Sequence, residues 1–223
     1  MISCIHPSRN RPEQAKEACK RWLDKAHDRT NIEYILSVDK DDRDLKTYQA
    51  NAKGLGTYCL ASRNKSAIQA INNGAKVSNG NILIVVSDDF DAPENWDKLL
   101  LDATEGKEDF IVKTPDGIQK TLITLPIMDR IYYKRFGYIY HPGYQHLFCD
   151  QEMTTVAHYL GKVIEVPVKF EHLHYSTGQF KKDAISVKND KTWGQGKKLF
   201  NERLKTNFGI PNPLISYLDI VWR

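Results

Sequence analysis

The chain has 223 residues, 27% of them charged and 41% hydrophobic, with a formal net charge of +4, which bounds it to one large globular domain or a domain with a small appendage. The absence of any apolar run near the roughly 18 residues of a bilayer span excludes a transmembrane reading, and the opening residues lack the charged-then-apolar pattern of a secretory signal, so a cytoplasmic setting is expected. The mild positive balance suits an anionic ligand and is too weak and dispersed to argue for nucleic acid without a localised patch.

Taken along the chain, the first half alternates strand and helix patterns. Residues 2–5 predict a strand and Pro12 to His27 a helix, with Pro12 in its first turn and Ala15, Ala18, Cys19, Trp22 and Leu23 on one face. Ile32 to Val38 predicts a second strand, followed by an acidic loop from Asp39 to Asp44. Thr57 to Leu60 predicts a short strand, Ser62 to Val77 a helix, and Asn81 to Val86 a strand of branched apolar residues that reads as buried on both faces. Such alternation implies right-handed βαβ units and a parallel sheet. In the second half, residues 109–113 and 121–125 predict strands around a turn at Pro115-Asp116-Gly117, and Ile127 to Phe136 predicts a helix. The aromatic stretch from Tyr138 to Phe148 is irregular. Asp150 to Leu160 predicts a helix closed by Gly161, Val163 to Phe170 a strand, residues 178–182 a loop, and a final helix is expected within Ile185 to Thr206. The cysteines, Cys4, Cys19, Cys59 and Cys149, form no CxxC pair, which argues against zinc or redox motifs. Cys4 and Cys59 read as buried thiols.

The apolar run ending at Val86 stops at two adjacent carboxylates, Asp88 and Asp89. Ligands of open α/β sheets bind beyond the carboxyl ends of strands, and a hard divalent cation takes one or two carboxylates and fills its other positions with phosphate and water oxygens. The pair therefore points to a metal–diphosphate site, a polar turn with Asp91 capping the next helix being the competing reading. His172 and His174, two apart at a strand end, share a face and are candidates to complete such a site. Asp150 and Glu152 open a helix, where such a carboxylate is a general-base candidate or simply a residue that favours the helix N-terminus. The segment Pro7-Ser8-Arg9-Asn10-Arg11 and the helix-opening Arg63-Asn64-Lys65 offer hydroxyl, amide and basic groups to a nucleotide and its phosphates. Asp39 is a candidate acceptor for a base or ribose. The loop from Asp39 fails as a calcium site, since Asp44 stands where glycine is needed and Ala50 where glutamate is needed. Trp96, Tyr144 and Trp193 are candidates for an acceptor site, though core packing explains them as well.

Taken in order, these segments resemble the inverting family 2 glycosyltransferases of GT-A fold. The resemblance runs over roughly residues 2–180. It rests on Pro7-Ser8-Arg9-Asn10-Arg11 after the first strand, Asp39 ending the second, Ala61-Ser62-Arg63-Asn64-Lys65, the DXD-like Ser87-Asp88-Asp89, Asp150 opening a later helix, and the segment His174 to Gly178, one residue longer than a His-x-x-Gly segment. It implies an α/β fold, a Rossmann-like mostly parallel sheet flanked by helices, with a smaller acceptor-side region. A nucleotide-sugar half is expected over 1–91 and an acceptor half over 92–180, with a C-terminal helical extension over 181–223. It also implies a metal-dependent enzyme moving one sugar from a nucleoside diphosphate sugar, UDP-linked by preference, to an acceptor hydroxyl. Asp89 with His174, preferred narrowly to His172, would bind Mn2+ or Mg2+. Pro7, Ser8, Arg9, Arg11, Asp39, Arg63, Asn64, Lys65 and Asp88 would bind the donor, and Asp150 would be the catalytic base. Two departures are plain: Ser87 replaces the first aspartate of the triplet, and no Gln-x-x-Arg-Trp motif of processive synthases is present. A nucleotidyltransferase is the enzyme alternative, weakened because Ile5 to Pro12 contains no glycine. A non-catalytic sugar-nucleotide- or nucleic-acid-binding protein on the same scaffold is the other, and the acceptor itself is open: glycan, small molecule or modified nucleic acid.

Overall fold

Branched apolar residues that alternate between two faces build the centre of the molecule. The computed structural model describes residues 1–173, 187 and 191–220. Strand β1 (Ile2–Ser8) leads through helix α1 (Pro12–Asp24) to β2 (Ile32–Asp39), then through α2 (Leu45–Leu55) to β3 (Tyr58–Ser62). Helix α3 (Ala67–Val77) returns the chain to β4 (Ile82–Val85). After the short β5 (Phe90–Asp91) and α4 (Trp96–Thr104) come β6 (Ile111–Lys113), β7 (Ile127–Asp129) and α5 (Arg130–Phe136). Helix α6 (Cys149–Tyr159), β8 (Val163–Glu165), β9 (Glu171–His172) and α7 (Trp193–Leu204) complete the described elements.

The main sheet has the order β3-β2-β1-β4-β7-β6-β8, and β5 pairs with β9 in a separate two-stranded ribbon. Strands β3, β2, β1 and β4 are mutually parallel, in the registers Ile2↔Ile32, Ile2↔Ile82 and Ile35↔Tyr58. β7 runs antiparallel between β4 and β6, and β8 lies parallel to β6. The chain leaves β1 toward β2 and returns to β1's other side as β4, so the switch point of the sheet lies between β1 and β4. That is the place where an open α/β sheet forms a ligand crevice.

Period-two alternation puts Cys4, Leu36, Ile84 and Val86 on one face, under Trp22 of α1, Tyr48 of α2 and Trp96 of α4. Ile5, Leu83 and Val85 face the other way, under Ile68 and Ile71 of α3, Tyr132 of α5 and Met153 of α6. On the first face Trp22, Trp96 and Phe170 form one aromatic unit, Trp22 stacking on Phe170 at 5.5 Å and meeting Trp96 edge-on at 5.2 Å. Their indole N–H groups stay satisfied in the core, Trp22 donating to the Phe90 carbonyl at 3.1 Å and Trp96 to the Trp22 carbonyl at 2.8 Å. On the second face α3 seats close because Gly74 carries no side chain; a Cβ there would lie 2.7 Å from Ile5 Cγ2.

Several expected elements differ. Helix α2 falls just after the expected acidic loop, at residues to which the sequence reading assigned no element. The strand expected at 121–125 is absent, and the strand β7 takes the first residues of the expected helix from Ile127. There Asp129 caps α5 by accepting from the Tyr132 amide at 2.8 Å. Asp91 caps nothing; it pairs with Lys25 at 2.7 Å, and α4 starts after Asn95. Cys59 is half-buried, while the other three cysteines are buried free thiols. The expected loop at 178–182 lies outside the described residues. Helix α7, within the expected C-terminal extension, packs against α6: Phe200 lies 6.0 Å from Phe148, and Arg203 donates to the buried Glu152 carboxylate at 2.7 Å.

Candidate active site

The registers bring Ser8 opposite Val38 and Asp39 opposite Ser62, so the carboxyl ends of β1, β2, β3 and β4 deliver Ser8, Asp39, Ser62 and Ser87-Asp88-Asp89 to one edge of the sheet. Four parallel strands ending together are what gather residues that lie far apart in the chain.

At the switch point, His6 is fully buried. One ring nitrogen is 2.8 Å from the Tyr34 hydroxyl and the other 2.9 Å from Asp88 Oδ1. Arg11 reaches Asp88 Oδ2 at 3.4 Å, and Arg21 donates to the Asp88 carbonyl at 3.2 Å. Asp88 is therefore clamped between β1 and α1. The loop after β1 is held by Tyr48 of α2, whose hydroxyl lies 2.8 Å from Ser8 Oγ and accepts from the Arg11 amide at 2.8 Å. Asn10, with φ +55, donates its amide to Asp42 at 2.7 Å. Pro7 belongs to β1, opposite Ser37.

Asp39 sits in a network at the end of β2. Arg9 ion-pairs with it and with Asp41, and Asn64 Nδ2 donates to Asp39 Oδ1 at 2.7 Å. Asn64 is itself oriented by Asn73 at 2.8 Å. These two carboxylates hold the Arg9 guanidinium well above its ordinary value. The flanking Arg63 and Lys65 side chains are exposed and form no ion pair among the described residues; Lys65 contributes its amide to Gln69 at 2.7 Å.

Asp89 turns the other way from Asp88. Its carboxylate accepts from Ser87 Oγ, and Oδ2 lies 3.4 Å from His172 Nε2. The β5–β9 ribbon makes this meeting: Phe90 stands opposite His172, their rings stack at 4.2 Å, and the Leu173 amide donates to the Asp89 carbonyl at 2.6 Å. Behind His172 stands Asp116, Oδ2 3.8 Å from Nδ1. Asp116 is pinned by the amides of Ile118 and Gln119 and by the Thr124 hydroxyl at 2.6 Å. Burial opposes charge at each of these groups and is outweighed. Asp116 and Asp89 hold the His172 imidazole up to about 9, while His172 and the donors around Asp116 bring that carboxyl down to about 2. Asp89 is lowered for the same reason, with Ser87 adding to His172.

One oxygen and one nitrogen donor 3.4 Å apart fit adjacent corners of a small divalent cation, whose bonds of about 2.1 Å put neighbouring corners about 3 Å apart. Among the described residues no group of three His, Cys, Asp or Glu side chains is arranged as a metal cluster. The residues present thus suit a cation that is shared with a phosphate ligand rather than caged by protein. His174 lies outside the described residues.

Asp150 occupies the first turn of α6, entered through Phe148 in the left-handed region at φ +72. Its Oδ1 accepts from the Gln151 amide at 2.9 Å. Burial pushes its carboxyl up, against that amide, and no cation pairs with it among the described residues. A carboxylate raised in this way is a better proton acceptor near neutral pH than an ordinary one. Of the aromatic candidates, Trp96 is core, and Tyr144 is buried and donates to Glu152 at 2.8 Å. Trp193 is exposed. His6, Tyr34, Tyr48 and Asp116 escaped the sequence reading. His6, inside β1 and directly after its apolar run from Ile2 to Ile5, carried the one usable signal, a polar ring where the apolar residues stop.

The model of glycosyl transferase family 2 matches residues 3–161. No curated protein matches the chain in sequence. Among solved structures, S. aureus TarS residues 1–349 in complex with UDP-GlcNAc superposes with a TM-score of 0.68 at 12% identity, over 98% of this chain and 69% of that one. A Pyrobaculum calidifontis mannosyltransferase, PcManGT, in complex with GDP-Man and Mn2+ gives 0.60 at 13% identity, over 77% and 56%. Glucosyl-3-phosphoglycerate synthase from Mycobacterium tuberculosis, in complex with Mn2+, UDP and glucosyl-3-phosphoglycerate, gives 0.60 at 12%, over 95% and 81%. At these identities the likeness establishes a shared GT-A fold. The match to a longer TarS chain spans 36% of its length. No helix among the described residues is long and apolar enough to cross a membrane.

Proposed function

Because the chain belongs to glycosyl transferase family 2, we propose that this glycosyltransferase moves a single sugar from a UDP-sugar to an acceptor hydroxyl, with metal dependence and inversion at the anomeric carbon. The observation that carries the reading is the meeting of Asp89 and His172 beside the switch point, 3.4 Å apart at the end of β4. Neighbouring structures that hold UDP-GlcNAc, UDP or GDP-Man with Mn2+ support the donor class and the metal.

Asp89 and His172 would hold a Mn2+ or Mg2+, which would supply Lewis-acid stabilisation of the diphosphate leaving group. The chain's own residues do the rest. Asp39 and Asn64 recognise the nucleoside, a base at Asp39 competing with Arg9 for the carboxylate. Pro7, Ser8 and Arg11 shape the loop over the nucleoside. Asp88, fixed by His6, faces the ribose. Arg63 and Lys65, exposed and without an ion pair among the described residues, meet the donor's negative charge. Asp150 takes the proton of the acceptor hydroxyl as its oxygen bonds to the anomeric carbon. The bond from that carbon to the diphosphate oxygen breaks on the opposite face, and UDP leaves. One displacement of this kind inverts the centre.

The test is transfer measured as UDP release with product detection. Asp89→Ala and Asp150→Asn each abolish it in a folded protein, and only Asp89→Ala also weakens metal-dependent UDP binding. Transfer at the wild-type rate in either variant removes that residue from the mechanism.

A further inference from the structure

The net charge of the chain is not spread evenly. Residues 191–205 hold five basic residues against one acidic residue, which equals the formal +4 of the whole chain. One of the five, Arg203, is turned inward to the buried Glu152. The others, Lys191, Lys197, Lys198 and Lys205, are exposed, and none makes an ion pair among the described residues. Elsewhere some surface lysines are neutralised, as Lys20 is by Asp24, Lys98 by Asp102 and Lys162 by Asp109, and others, such as Lys46, Lys53 and Lys76, stand exposed as isolated charges among the described residues.

These lysines share a face with an aromatic ring. Trp193, Lys197, Asn201 and Lys205 recur every four residues along α7, so they form one stripe, about 18 Å long at 1.5 Å per residue. Trp193 is 52% exposed, and the Lys197 ammonium sits 4.7 Å from its ring centre. With Lys198 and Glu202 the stripe lines an open groove of about 420 Å³. The opposite face is the packing face, with Gly196 and Phe200 buried. The stripe is also fixed relative to the proposed base. Gly196 is pressed so close to the Leu147 carbonyl that a Cβ would lie 2.4 Å from it. The Trp193 ring meets Phe148 edge-on at 5.8 Å, two residues before Asp150.

A flat exposed indole beside unneutralised lysines is the combination that binds single-stranded nucleic acid, whose bases stack while the phosphates displace counterions. We propose that the exposed face of α7 docks a single-stranded nucleic acid, with a base on Trp193 and the backbone along Lys197, Lys198 and Lys205. Its role as the sugar acceptor brought toward Asp150 rests on the glycosyltransferase reading; the docking itself does not.

The experiment is anisotropy of a labelled oligothymidylate with the full chain across a salt series. Neutralising three phosphates of a single strand predicts affinity falling about 20-fold between 50 and 200 mM salt. The combined Lys197→Ala, Lys198→Ala and Lys205→Ala variant removes all three contacts and brings that ratio down to about one. Trp193→Ala weakens binding at least fivefold at fixed salt and keeps the wild-type slope. Both variants retain the thermal shift given by UDP-sugar with Mn2+, which shows that they are folded and that the donor site is separate. No binding at 50 mM salt, a wild-type slope in the triple variant, or tighter binding of heparin than of the oligonucleotide overturns the proposal. If the oligonucleotide binds as described but no UDP-sugar shifts the wild-type melting temperature, the docking stands and the enzymatic reading falls.

Discussion

Replacing His172 with glutamine should change how stability depends on pH, and the structure supplies the size of the effect. The imidazole stands between Asp89 and Asp116, at 3.4 and 3.8 Å, with its side chain 16% exposed. Burial disfavours the charged ring, but the two carboxylates outweigh it and hold the folded-state value up to about 9 from 6.5. At about 1.4 kcal/mol per pH unit, that rise is worth about 3 kcal/mol as a ceiling, reduced by the remaining contact with water. The lowering of Asp116 to about 2 is in part the same ion pair seen from its other member; the rest comes from Thr124 and the Ile118 and Gln119 amides and acts in a lower pH window. Because the folded value is raised, the contribution is complete below pH about 6.5 and is lost as pH rises to about 9. Urea unfolding of the wild type and of His172→Gln at pH 6 and at pH 9.5 reads it directly. The stability gap between the two proteins should narrow by about 2–3 kcal/mol at the higher pH. An equal gap at both values would refute the ion-pair reasoning.

Three further outcomes are expected. Burial raises the carboxyl of the half-buried Asp150, so the acid limb of the kcat/KM profile should lie above the ordinary carboxylate range; a limb at or below that range would contradict its role as the base. His6→Phe leaves the Tyr34 hydroxyl and the Asp88 carboxylate without their buried partner. It should cost about 3 kcal/mol in urea unfolding, and a loss under about 1 kcal/mol would show the contact to be dispensable. Gly74→Ala, with its Cβ 2.7 Å from Ile5 Cγ2, should destabilise by about 1–3 kcal/mol. Gly54→Ala in α2 meets nothing within 4 Å and should stabilise by about 0.5–1 kcal/mol; equal effects at the two sites would undo the packing argument.

What could be read from the sequence followed the strength of local periodicity. β1, α1, β2 and β4 announce themselves because each buries a regular set of apolar residues against the sheet. α2 does not, since it buries only Tyr48 and Ala52 and carries Gly54. β7 is hidden for a different reason. Three residues become a strand only because β4 and β6 flank them, with Ile84 and Val112 both opposite Ile127, and no local pattern encodes that pairing. The same division holds at the site. Asp39, Asp88 and Asp89 stand out as carboxylates where apolar runs stop. Asp116, read only as a turn residue, acquires its place behind His172 when the backbone of His172 donates to its carbonyl at 3.0 Å. His6 meets Asp88 across 82 residues of sequence, a contact made by the parallel pairing of β1 with β4.

In the proposed mechanism Asp89 and His172 would hold a cation that grips the donor diphosphate. Calorimetric titration of UDP, with and without Mn2+, into the wild type and into Asp89→Ala tests it most directly. Mn2+ should tighten UDP binding to the wild type at least tenfold and leave Asp89→Ala unaffected by the metal. Equal UDP affinity with and without Mn2+ in the wild type, or an undiminished metal effect in Asp89→Ala, would contradict it.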